Sequence, residues 1–167
     1  MKTKQWISGL LVLVLSGIAQ AESEDATFST LSLTPETALK AAQTALMHCR
    51  GQGYQVGVAV VDRSGIVQVV LRDRLAGIHT PDTATGKAWT AVSFRTNTSE
   101  LSELAQPGAG INGLRNLPRV VILGGGKLIE AAGSIVGGIG VSGAPGGDRD
   151  DDCAQAGIDA IEEEIQF

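Results

Sequence analysis

Residues Val56–Arg72 read VGVAVVDRSGIVQVVLR. Val56 to Asp62 is rich in Val and too apolar to be exposed on both faces, which reads as a strand. Asp62-Arg63-Ser64-Gly65 is a turn signal, and Ile66 to Arg72 is the return strand of a hairpin. A connection this short forces antiparallel pairing.

The flanking segments extend that hairpin into a mixed fold. Upstream, Thr34-Pro35-Glu36 starts a helix: Thr34 can cap, Pro35 suits the first turn, and Glu36 favours the positive dipole end. Ala38, Leu39, Ala42, Ala45, Leu46 and Cys49 recur at helical spacing, and Gly51 and Gly53 end the run. Downstream, Leu75 to Thr80 is a connecting loop. Thr80-Pro81-Asp82 starts a second helix, whose Ala84, Ala88, Ala91 and Val92 form a narrow small-residue face. Thr98-Ser99-Glu100 starts a short third helix, and Gln106 to Pro118 reads as a long loop. Three strands in a meander are expected next: Arg119 to Leu123, Lys127 to Ala131 and Ser134 to Ser142. Gly143 to Gly147 is a glycine-rich loop, and a closing helix runs from about Asp150 to Ile165. With no long linker or repeat, residues 22–167 read as one α/β (α+β) domain: an antiparallel sheet of about five strands with packed helices.

Residues 1–21 read differently. Lys2 and Lys4 are a basic start, Ile7 to Ile18 is nearly unbroken apolar sequence, and Ala19-Gln20-Ala21 is a small-x-small cleavage pattern. That order predicts a secretory signal peptide and a periplasmic or secreted mature chain. The apolar run is too short to span a bilayer, so no membrane span is expected after processing. Without Lys2 and Lys4, eleven basic residues face eighteen acidic ones, a net charge of −7. Such a balance disfavours a nucleic acid partner, which needs clustered Lys and Arg. Cys49 and Cys153 are the two cysteines. An oxidising compartment permits a disulfide between them; the alternative is two small buried thiols.

Several motifs are weak. Gly138-Ile139-Gly140-Val141-Ser142-Gly143 matches G-x-G-x-x-G but falls inside a strand and lacks βαβ context. Its glycines read better as places where another backbone, or a flat ligand, comes close. Gly124-Gly125-Gly126-Lys127 reads as a tight turn, since Leu128 stands where a phosphate loop needs Ser or Thr. Asp148, Asp150 and Asp152 read as acidic residues at a helix start; Cys153 and Asp159 do not fit a calcium loop. His79 is distinctive because it lies in a loop directly before a helix, where binding residues tend to sit.

Taken together, Val58 to Gly65, Lys87-Ala88-Trp89-Thr90-Ala91 with Ser93-Phe94, Leu123 to Gly126, Ile135 to Gly143 and Asp152 to Gly157 resemble the GlcG/HbpS family of haem-binding or haem-degrading domains. The chain also resembles the PduO C-terminal domain. The resemblance spans nearly all of residues 22–167, in order. It implies a profilin-like fold, assembly into homo-oligomers from dimers to octamers, and a haem-related role for some members.

Haem iron takes His, Cys, Met or Tyr ligands. Those residues beyond the leader are His48, His79, Cys49, Cys153, Met47 and Tyr54. If the cysteines pair, His79 is the loop-borne candidate for iron. Arg72, Arg74 and Lys87 are candidates to pair with propionates. Gly143, Gly146, Gly147 and Asp148 are expected near the same pocket, where glycine lets a flat ligand approach backbone. The expectation is an exported haem-binding protein, or a binder of a similar flat or acidic small molecule. The alternative is a periplasmic enzyme on a small hydroxy acid, with Lys87 and Arg95 holding a carboxylate and His79 as acid or base.

Overall fold

The computed structural model describes residues 26–166; the expected leader, residues 1–21, lies outside them. The elements are α1 (Pro35–Gly51), β1 (Gly57–Asp62), β2 (Val67–Arg72), α2 (Thr80–Phe94), α3 (Thr98–Leu104), a 3-10 turn (Asn112–Asn116), β3 (Gly126–Ala131), β4 (Ser134–Ser142), α4 (Gly147–Asp159) and α5 (Glu162–Ile165). The hairpin of the opening sequence is present as β1–β2. The sheet order is β2-β1-β4-β3, antiparallel throughout.

Alternation along the central strands sorts the two faces. Val58 opposite Val141 and Val60 opposite Ile139 point to one side. There they meet Ala38, Ala42 and Ala45 of α1, and Cys153 and Ala154 of α4, in the main core. Thr34 caps α1, its Oγ1 accepting from Thr37 N at 3.2 Å. α1 and α4 lie in close contact: a Cβ at Gly157 would stand 2.6 Å from the Ala41 carbonyl oxygen. The disulfide Cys49–Cys153 joins these two helices, with 5.5 Å between Cα atoms.

α2 covers the other face and rests on backbone rather than on side chains. A Cβ at Gly140 would collide with the Ala84 carbonyl. One at Gly57 would stand 2.7 Å from the Thr80 carbonyl carbon, and one at Gly138 would stand 2.6 Å from Val92 Cγ2. Gly138 and Gly140 of the G-x-G-x-x-G run therefore serve helix–sheet contact, with Ala84 and Ala88 supplying the matching small surface.

Two expectations are corrected. The sheet has four strands, because Arg119 to Leu123 does not join it. That segment is held along α2: Arg119 lies over the Trp89 ring at 4.9 Å, and Val121 N donates to Thr90 Oγ1 at 2.9 Å. Val121 also fills the space left by Gly86. The closing helix is likewise two helices. After Asp159 the chain tightens, Ile161 N donating to Ile158 O at 3.0 Å, and this turns the fully buried Ile161 into the core. Among the described residues no helix is long and apolar enough to cross a membrane.

Candidate functional site

The loop from β2 to α2 is fixed before it reaches the site. Asp73 N donates to Val56 O at 2.9 Å, and Ala76 N donates to Asp73 O at 3.1 Å. The buried Asp73 carboxylate accepts from Arg50 Nε and Nη2, each at 2.9 Å, and from Arg74 N at 2.7 Å. Arg50 holds this carboxyl below its ordinary value of 3.8, against the opposing pull of burial. The Arg72 guanidinium donates to the Ala76 carbonyl. The loop then closes on Gly77, whose carbonyl accepts from Thr80 N at 3.0 Å and Thr80 Oγ1 at 2.8 Å. A Cβ at Gly77 would stand 2.7 Å from His79 Cε1, so the glycine leaves room for the imidazole.

His79 stands exposed, directly before α2, and makes no side-chain capping bond. It lines a cleft of about 450 Å³. One wall is the end of β4 and the loop Gly143 to Gly147; another is Leu123 and Gly124. The two glycine turns touch: a Cβ at Gly124 would stand 2.9 Å from the Gly147 carbonyl. Gly143 has φ 129° and a neighbour, Gln55 O, 2.7 Å from a Cβ position, which both require glycine.

The floor is charged and buried. Lys87 Nζ donates to Asp150 Oδ2 at 2.7 Å and to Val141 O at 2.8 Å. The remaining Asp150 oxygen accepts from Ala144 N at 3.0 Å, which ties the glycine loop to the same pair. Lys87 and Asp150 are 2% and 4% exposed. Burial pushes the Asp150 carboxyl above its ordinary 3.8, and Lys87 offsets part of that rise. Beside it, Asp151 accepts from Gly125 N at 2.6 Å and from Ser99 Oγ.

Of the residues singled out in the sequence, His79, Lys87, Gly143, Gly146 and Gly147 come together in this cleft. Lys87 is no solvated surface charge, since Asp150 holds it. Arg72, Arg74 and Asp148 lie outside the lining; Asp148 is exposed beside Arg149, 3.7 Å away. His48 bonds Gln52 on the exposed side of α1 at 2.7 Å. Asp150, Asp73 and Ser142 were missed as site residues. Asp150 carried only the signal of an acidic helix start, and nothing in spacing connects it to Lys87. A larger groove of about 590 Å³ runs beside β3, α4 and α5, but it has no histidine or cysteine in its lining. The smaller cleft is the better site because it joins a loop histidine to a buried ion pair.

Comparison with known proteins identifies the family. The family described as "Haem degrading protein HbpS-like" matches residues 33–159. A double mutant of HbpS from Streptomyces reticuli is 42% identical with a TM-score of 0.76, over 84% of this chain and 94% of that one. A haem complex of PduOC is 34% identical with a TM-score of 0.74, over 78% of this chain and 96% of that one. The corrinoid adenosyltransferase PduO of Salmonella typhimurium is 41% identical over 116 residues, 67% of this chain. The chain spans only 34% of that relative's length. The matched region covers both helical layers, the whole sheet and the cleft, and the chain belongs to this HbpS-like family, the GlcG/HbpS family.

Proposed function

We propose that the cleft binds haem, with His79 as the protein ligand to iron. The observation that carries this reading is the placement of His79 on a pinned loop at the rim of a glycine-walled cleft. The donor set fits. Cys49 and Cys153 are consumed by the disulfide, and His48 lies on an exposed helix face. Leu123, Ala144 and Pro145 offer apolar surface to a macrocycle, and Gly143, Gly146 and Gly147 let a flat ring approach the backbone. The membership of the family and the haem complex of a relative support the same ligand. Haem added to the purified apo-protein is expected to give a saturable Soret shift. An unshifted spectrum refutes the reading.

The same proposal includes export and assembly. The pattern from Lys2 to Ala21 and the Cys49–Cys153 disulfide favour an oxidising compartment. Intact mass of protein from the native host should begin at Glu22; retention of Met1 argues against it. Exposed Ile66, Val67 and Val70 near the open edge at β2 favour a homo-oligomer. Light scattering at micromolar concentration should exceed the monomer mass.

A further inference from the structure

The floor of the cleft holds more polar capacity than the fold uses. An ammonium group has three protons to donate. Lys87 commits two, to Asp150 Oδ2 and Val141 O. Lys87 also lines the cleft, as do Asp150 and Ser142. Ser142 is 6% exposed. Gly125 closes over the pair without a side chain, since a Cβ there would stand 2.9 Å from Lys87 Nζ.

A neutral ion pair is a poor host for an added anion unless one negative charge is removed. We propose that the floor is a carboxylate subsite: a ligand carboxylate accepts from Lys87 Nζ and Ser142 Oγ, while Asp150 takes one proton from solvent. The charge at the floor is then the same before and after binding. One ammonium faces one carboxylate, and the protonated Asp150 remains as a neutral partner. No covalent bond changes except the new O–H on Asp150. Burial pushes the Asp150 carboxyl upward, the direction that favours this proton uptake.

The other charged groups around Asp150 do not supply the same switch. Asp151 is taken by Ser99 and Gly125 N. Arg149 faces Asp148 and Asp152 on the outside of α4. β4 contributes only the Val141 carbonyl and the Ser142 hydroxyl. His79 lies at the cleft rim.

The subsite rests on the haem reading for its leading ligand, a propionate. A free small hydroxy acid has the same carboxylate chemistry. The test compares haem with haem dimethyl ester, whose propionates are blocked, between about pH 8 and about pH 6. One linked proton predicts that the affinity ratio of haem to ester rises by up to about tenfold per pH unit as pH falls. His79 faces both porphyrins alike, so the ratio reports the floor. Ser142→Ala is expected to weaken haem several-fold and the ester by less. Asp150→Asn, checked for native circular dichroism, is expected to flatten the pH dependence of the ratio. In a separate arm, lactate is titrated into apo-protein by calorimetry in buffers of different ionisation enthalpy. Proton-linked lactate binding assigns the subsite to free acids as well; silent lactate with a pH-dependent porphyrin ratio assigns it to propionates. Equal haem and ester affinities at every pH, with silent lactate, overturn the subsite. A missing Soret shift with either porphyrin refutes the haem reading instead, and lactate then decides the subsite alone.

Discussion

Arg50 grips Asp73 through two parallel hydrogen bonds of 2.9 Å, tying the last turn of α1 to the loop that carries His79. Planar fork geometry of this kind fixes direction as well as distance. Because Arg50 holds the Asp73 carboxyl below 3.8, the stabilisation is complete above that ordinary value and fades as pH falls through the lowered one. Asp73→Asn is therefore expected to destabilise the protein near neutrality and to flatten the acid limb of its stability curve. Urea unfolding between about pH 2.5 and about pH 7 measures this. An acid limb as steep as that of wild type would show that other carboxylates govern it.

The disulfide links residues 104 positions apart. Closing a loop of that size contributes up to about 4–5 kcal/mol in the chain-entropy model. The double variant Cys49→Ala/Cys153→Ala should lose a large part of that, and reductant should lower the urea midpoint of wild type but not of the variant. Two free thiols on unfolded, non-reduced protein would contradict the bond itself.

Lys87 and Asp150 should behave as one unit. Removing one partner strands a buried charge and costs about 3–5 kcal/mol. Lys87→Met combined with Asp150→Leu should cost much less than the two single changes added together. A double-mutant cycle by chemical denaturation gives the coupling energy, and additive effects would show that the pair does not interact. The pH dependence has the opposite sign to that of Asp73. With its folded value raised by burial, Asp150 contributes most stability at low pH, and that contribution fades as pH rises through the raised value.

His79→Ala should abolish or strongly weaken the Soret shift while leaving thermal stability close to wild type, since the ring is exposed and caps nothing. His48→Ala should leave the spectrum unchanged. Equal haem affinity in both variants would move the iron ligand away from His79.

The local features of the fold were legible because they depend on near neighbours. Thr34-Pro35, the Asp62-to-Gly65 turn and the small-residue face of α2 each encode their own geometry. Arg119 to Leu123 misled for a physical reason: an apolar, β-branched run satisfies a sheet edge or a helix flank equally well. The choice was made by Trp89, Thr90 and Gly86, which α2 presents to it.

His79 and the glycine loop were also readable, the first as a lone loop histidine and the second as a glycine cluster. The sequence by itself determined the hairpin, the helix starts, the family and the scarcity of iron donors, because these follow from residue type and short-range order. Tertiary structure alone decided that Lys87 would be buried and committed to Asp150, 63 positions away. It also decided that Arg74 would stand outside the cleft and that Asp73 would anchor its loop. The reason is burial: a charged side chain looks the same in sequence whether water or a carboxylate surrounds it, and only packing determines which partner it meets.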